Sequence, residues 1–202
     1  MKKPDVDSEK VKTVAKRGMW LFMALLFIVT ALGVGIYSFW QGTHQNNGNN
    51  NSQSQQTGPT CTSDPSITFN TVGSDGKKLA GQQLADFTPV SKVSNLSCID
   101  VKVGTGTQTV QSSSTIIANY TGAVAATGKI FQSSLDNNGQ PFSTALSGVI
   151  PGWQVGLVGM KAGGERRLLI PASLAYGAHS PTGSGIPDNA DLVFDVTIIA
   201  IQ

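Results

Sequence analysis

A chain of 202 residues has room for one ordinary domain with additions, and not for two large ones. Only 13% of its residues are charged, and the formal net charge of +2 is unevenly spread: the first 18 residues hold six Lys/Arg against three acids, leaving eight bases and nine acids to the remainder. A remainder with that balance lacks the basic stripe that phosphate recognition needs, so nucleic acid is not an expected partner.

In chain order, the basic tail 1–18 is followed by residues 19–40, "MWLFMALLFIVTALGVGIYSFW", without one charge. As a helix this run would span about 33 Å at 1.5 Å per residue, enough for a bilayer core. Trp20 at one end, and Tyr37 and Trp40 at the other, suit interfacial belts. A buried core helix would show a polar stripe, which is missing. A cleaved signal peptide is the serious rival, but its apolar region would be shorter and would end in small residues, whereas "GIYSFWQGT" does not. The expectation is an uncleaved signal anchor, with the tail in the cytoplasm and the rest outside the membrane.

Residues 41–60, "QGTHQNNGNNNSQSQQTGPT", lack aliphatic side chains and read as a disordered tether rather than an aggregating tract. His44 within it reads as solvated. Residues 61–88 read as an extension to the main domain, in which "SITFNT" suggests a strand. Cys61 and Cys98 are the only cysteines. Outside the membrane a disulfide between them is reasonable, and two buried thiols are the alternative.

Residues 89–202 read as one β-rich domain. "LSCIDVKVGTG", "STIIANYTGAV", "KIFQSS" and "ERRLLIP" suggest strands. In the closing "DLVFDVTIIAI", Leu192, Phe194, Val196 and Ile198 share one face, as a half-buried antiparallel strand requires. "GVIPGWQVGLVGM" suggests one short helix, with Pro151 in the first turn and Gly159 as its stop. The expected fold class is α+β, an antiparallel sheet with the helix on its concave face, preceded by one transmembrane helix.

Much familiar chemistry is missing. There is no G-x-S-x-G elbow, no P-loop and no third glycine after "GTG" for a dinucleotide site. His179 is the only histidine of the folded region, and no cluster has metal-ligand spacing. Neither metal nor cofactor is expected, so catalysis would rest on binding geometry.

Taken together, "IIANYTG", "KIFQSS", "QPF", "VIPGWQVGLVGMKAGGERRLLIPASLAYG", "SGIP" and "DLVFDV" resemble the FKBP-type peptidyl-prolyl cis-trans isomerases over about residues 84–202, and the "GGERRLLIPASLAYG" wording looks most like bacterial members. The resemblance implies a five- to six-stranded half-barrel wrapped around the short helix, with an aromatic pocket for proline-containing polypeptides and for macrolide inhibitors. It implies Tyr120, Phe131, Trp153, Tyr176 and Phe194 as the catalytic set, with Trp153 as the floor. Phe142, Val149, Ile150, Ile186 and Gln132 are implied as substrate-binding. In that pattern Ile150 offers its backbone N–H, and the Tyr176 hydroxyl bonds a ligand carbonyl. Gln132 stands where many members carry Asp; its amide oxygen is expected to accept from Tyr120 instead. The residues alone leave open that these aromatics are simply core.

Two functions compete: an isomerase for exported or cell-envelope proteins, and a proline-binding or chaperone module without catalysis, for which Gln132 is the cue. An adhesion domain is a third. Asn50, Asn95 and Asn119 open N-x-S/T sequons, and a glycan on Asn119, beside a pocket tyrosine, is expected to obstruct the site.

Overall fold

The computed structural model describes residues 59–71 and 78–202. The expected tail, membrane span and most of the expected tether therefore lie outside the described residues. Among the described residues no helix is long and apolar enough to cross a membrane.

One seven-stranded sheet carries the domain. Its strands are β1 (Thr62–Ser63), β2 (Ser97–Lys102), β3 (Thr115–Val124), β4 (Ile130–Ser133), β5 (Phe142–Ala145), β6 (Glu165–Ile170) and β7 (Leu192–Ile201). The spatial order is β1-β2-β6-β7-β3-β4, with β5 pairing to the first half of β3. All pairs are antiparallel except β1–β2. The expected strand over "SITFNT" is not formed; the extension contributes Thr62–Ser63 instead. The "QPF" segment opens β5, a strand too short to announce itself by alternation.

The single α-helix among the described residues, α1 (Pro151–Gly156), is six residues long and lies against the concave face. Pro151 occupies the first turn, where its fixed φ suits a helix and its missing N–H costs nothing. The helix ends three residues before Gly159, which takes a left-handed φ of 84° in the turn beyond. So short a helix has little stability of its own. It is held by close packing: a Cβ on Gly152 would overlap Ile170 Cγ2, and one on Gly156 would come within 2.8 Å of Leu168 Cδ2. Two glycines four apart on α1 thus let its backbone settle on Ile170 and Leu168 of β6. Arg166, the next concave-facing residue of β6, donates from Nη1 to the Gly156 carbonyl at 2.7 Å. Its Nε and Nη2 donate to the Asp100 carboxylate at 2.7 and 3.2 Å, so a buried cation closes the helix C-terminus.

The convex face is covered too. β7 was expected to be half-buried, yet Val193 and Asp195 are as buried as Leu192 and Phe194. The cover is the extension: Leu79 and Leu84, with Phe87, pack on Ala123, Ile130, Leu135 and Val193. Arg167 of β6 faces this side and is 2% exposed. It forms a bidentate pair with Asp195, at 2.6 and 2.8 Å, and donates to the Ala85 and Asp86 carbonyls. Its guanidinium also lies 5.9 and 5.7 Å from the Phe69 and Phe87 ring centroids. Burial pushes the Asp195 carboxyl up, and the Arg167 fork pulls against that shift. Cys61 and Cys98 are joined in a disulfide, which ties the start of the extension to β2.

From β1 the extension crosses the convex face and reaches the far side of the sheet. There Gly81 N–H donates to the Ile130 carbonyl, Ile130 N–H to the Gln82 carbonyl, and Leu84 N–H to the Gly128 carbonyl. The segment that follows it is fixed where Asp191 accepts from the N–H of Val93 and of Ala172, at 2.7 and 2.8 Å. Burial opposes ionisation of Asp191, but those two N–H groups and Lys92 together hold its carboxyl below the ordinary range.

Candidate functional site

Tyr120 is at the centre of the concave face. Its position on β3 points the ring at α1, and four aromatic residues gather round. The Tyr120 ring lies 5.5 Å from Trp153 and 5.6 Å from Phe142, both edge-on, and 6.3 Å from Phe194. Phe194 meets Trp153 at 5.4 Å and Phe131 at 5.7 Å, again edge-on. Edge-to-face pairs use the positive ring rim against the negative face, and each adds about 0.5–1.5 kcal/mol beyond buried area. The result is a stiff wall of rings. Trp153, at 1% exposed, lies beneath, while Phe131, Phe142 and Tyr176 are half-buried at the surface.

Local backbone features aim these rings. β3 pairs Gly122 with Gln132 and Ala123 with Ile130, so Phe131 is the extra residue of a β-bulge. A bulge re-aims a side chain, and here Phe131 is turned over Gly122. A Cβ at Gly122 would come within 2.6 Å of both Phe131 and Phe194, so only glycine leaves room for the two rings to meet. Gly122 was not singled out from the sequence. The signal was in "NYTGAV", where a glycine interrupts a strand of otherwise good formers.

Two donors lie near this wall without protein partners. The Ile150 N–H, at the helix entry, makes no hydrogen bond among the described residues. Gln154 holds that entry by donating from Nε2 to the Val149 carbonyl at 2.7 Å. The Tyr176 hydroxyl is likewise unbonded among the described residues, and burial raises its pKa to about 12, which keeps it a donor at neutral pH. Val149 and Ile150 are buried, and Ile186 is 8% exposed in the loop beside Phe131.

The expected bond from Tyr120 to Gln132 is not made. The Tyr120 hydroxyl is buried without any hydrogen-bond partner among the described residues, as is the Trp153 Nε1. Burial, followed by the proximity of Tyr176, pushes the Tyr120 hydroxyl far above its ordinary range. Gln132 is half-buried beside Phe131 and engaged elsewhere. Asn119 also departs from expectation. It faces the convex side, where it lines a cavity of about 450 Å³ with residues 67–71, Asp195 and Thr197. A glycan there would meet the extension, not the aromatic pocket.

The concave face thus carries a wall of rings floored by an indole, with one backbone and one phenolic donor beside it. The family model of the FKBP-type peptidyl-prolyl cis-trans isomerases matches residues 106–199. The FK506-binding protein 4 of Chaetomium thermophilum is 41% identical over 115 residues, which are 56% of this chain and 23% of that protein. The FKBP-type isomerase FkpA of Escherichia coli is 42% identical over 102 residues, 50% of this chain and 36% of that one. The crystal structure of FkpA from Escherichia coli is 38% identical, with a TM-score of 0.49, and the match covers 57% of this chain and 51% of that one. The chain thus spans between 23% and 36% of the length of these two curated relatives. Residues 106–199 are an FKBP-type peptidyl-prolyl cis-trans isomerase domain.

Proposed function

We propose that the chain catalyses cis-trans isomerisation of X-Pro bonds in exported or cell-envelope proteins, from a membrane anchor formed by residues 19–40. The observation that carries the activity is the aromatic wall with two unengaged donors beside it. Rotation about an X-Pro amide must break conjugation, a barrier of about 18–20 kcal/mol. A half-rotated amide carries less charge separation than a planar one. An apolar site walled by Tyr120, Phe131, Trp153 and Phe194 disfavours the planar form relative to the twisted one. The Ile150 N–H and the Tyr176 hydroxyl hold the flanking carbonyls while the bond turns. This is stronger binding of the transition state than of the ground state, without a covalent step. A macrolide that presents a ring and carbonyls in the same arrangement would compete for the site.

The anchor reading rests on the charge-free run and the basic tail before it. The Cys61–Cys98 disulfide supports an oxidising, extracytoplasmic setting for the domain. A tether there would hold the isomerase among emerging chains whose slow proline isomers limit folding. The partnerless Tyr120 hydroxyl favours a second reading, a proline-binding module of low catalytic power on the same fold.

The test is the isomerisation rate of a proline-containing peptide with the full chain, alongside Trp153→Ala and Gln132→Asp. Acceleration by the wild type that is lost in Trp153→Ala is the expected result. Peptide binding without acceleration, with activity gained in Gln132→Asp, would establish the binding-module reading. For the anchor, the full chain should sediment with membranes and its domain should be cleaved by protease added outside intact cells. Protection of the domain would refute that orientation.

A further inference from the structure

The loop between β4 and β5 joins two walls of the pocket, Phe131 and Phe142, and its first turn is fastened to the extension rather than to the pocket. Ser134 Oγ accepts from the Tyr120 N–H at 2.9 Å and so docks the start of the turn on β3. Leu135 packs against the buried cluster that includes Leu79 and Leu84. Asp136 points the same way: Leu79 N–H donates to its Oδ1 at 2.6 Å and Ala80 N–H to its Oδ2 at 2.9 Å. One carboxylate thus grips two successive N–H groups 56 and 57 residues away in sequence. Beyond it the loop tip is exposed and turns through left-handed Asn138 and Gly139 before Phe142 returns against Tyr120.

We propose that Asp136 is a positioning residue for the isomerase site, and that through it residues 79–80 of the extension set where the Phe131–Phe142 loop stands. The inference rests on the isomerase reading. Asp136 is bonded to the extension and not to the aromatic wall. Its effect on substrate is exerted through the backbone that carries Phe142 in from the tip. Freed from the extension, the turn would still be docked by Ser134, but the segment after it would lose its only charged anchor among the described residues. A displaced wall weakens substrate binding more than it changes the rotation itself.

The extension side offers an independent variant. Gln82 N–H donates to the Leu79 carbonyl at 2.9 Å, and Gly81 has φ 94°, so residues 79–82 form a turn with a left-handed glycine at its third position. Proline is favoured at the second position of such a turn, which is Ala80. Ala80→Pro therefore suits the turn, removes the N–H that reaches Asp136 and sets its ring where that hydrogen pointed, so the carboxylate must withdraw from residue 80.

The experiment compares the full chain with Asp136→Ala, Asp136→Asn and Ala80→Pro. It reads KM and kcat for peptide isomerisation, amide exchange over residues 134–141, and the global unfolding midpoint. Asp136→Ala is expected to raise KM about tenfold with kcat little changed, since small misplacements of a binding group are costly. Exchange over 134–141 should quicken, Ala80→Pro should shift KM in the same direction with an unchanged unfolding midpoint, and Asp136→Asn should recover part of the loss. Unchanged KM in both Asp136→Ala and Ala80→Pro, with an active wild type, would overturn the inference and leave the isomerase intact. A rise in KM confined to Asp136→Ala and matched by a lowered unfolding midpoint would reduce Asp136 to a structural role, and likewise overturn it. A wild type without activity on any peptide would remove the isomerase reading itself, and this inference with it.

Discussion

A buried hydroxyl with no partner is a liability, and Tyr120 carries one, among the described residues, at the centre of the site. Leaving such a group unsatisfied costs about 1–3 kcal/mol of desolvation. Tyr120→Phe removes the oxygen and keeps the ring contacts with Trp153, Phe142 and Phe194. We expect it to stabilise the free protein by about 1 kcal/mol, read as a higher urea midpoint. Had Gln132 accepted from this hydroxyl, the same substitution would lower the midpoint, so the sign of the change tests the geometry. The residue identities of the site were legible because they sit in a recognisable motif order. The missing bond was not, because side-chain direction at a bulge does not follow from residue type.

At the scale of the element, α1 is the clearest example of a helix made by its surroundings. Alanine is favoured over glycine in a helix by about 1 kcal/mol. At Gly152 that gain is outweighed, because the new methyl would overlap Ile170, itself fully buried, and overpacking costs about 1–3 kcal/mol. Gly152→Ala should therefore lower stability and, by lifting α1, lower kcat/KM as well. Val155→Ala, on the exposed side of the same helix, should leave both near wild type. The helix, β2, β3, β4, β6 and β7 were all visible as periodic or proline-marked runs. The cover on the convex face was not. It is held by single groups reaching across the chain, Arg167 to two carbonyls, Asp136 to two N–H groups and Asp191 to Val93. No local pattern announces such contacts. For the same reason nothing in "ERRLLIP", a strand with its charges at one end, shows that both arginines are buried on opposite faces of β6.

For the whole molecule, the disulfide closes a loop with a sequence separation of 37. By the chain-entropy model such a link is worth about 4 kcal/mol. Reduction should lower the urea midpoint accordingly. It should leave isomerisation under native conditions largely intact, because Arg167 and Asp136 still hold the later half of the extension. Equal midpoints with and without reductant would show that the link adds nothing to the fold.

The path of the extension also bears on the company the protein keeps. A sheet with bare margins offers unpaired N–H and C=O groups on which foreign strands can grow. An isomerase meets chains at the stage when they expose such strands. Here the β2 margin is closed by a two-residue strand, and the β4 margin by residues 81–84. Under the proposed function, the wrapping leaves the aromatic face free while these two margins offer a foreign strand little to pair with.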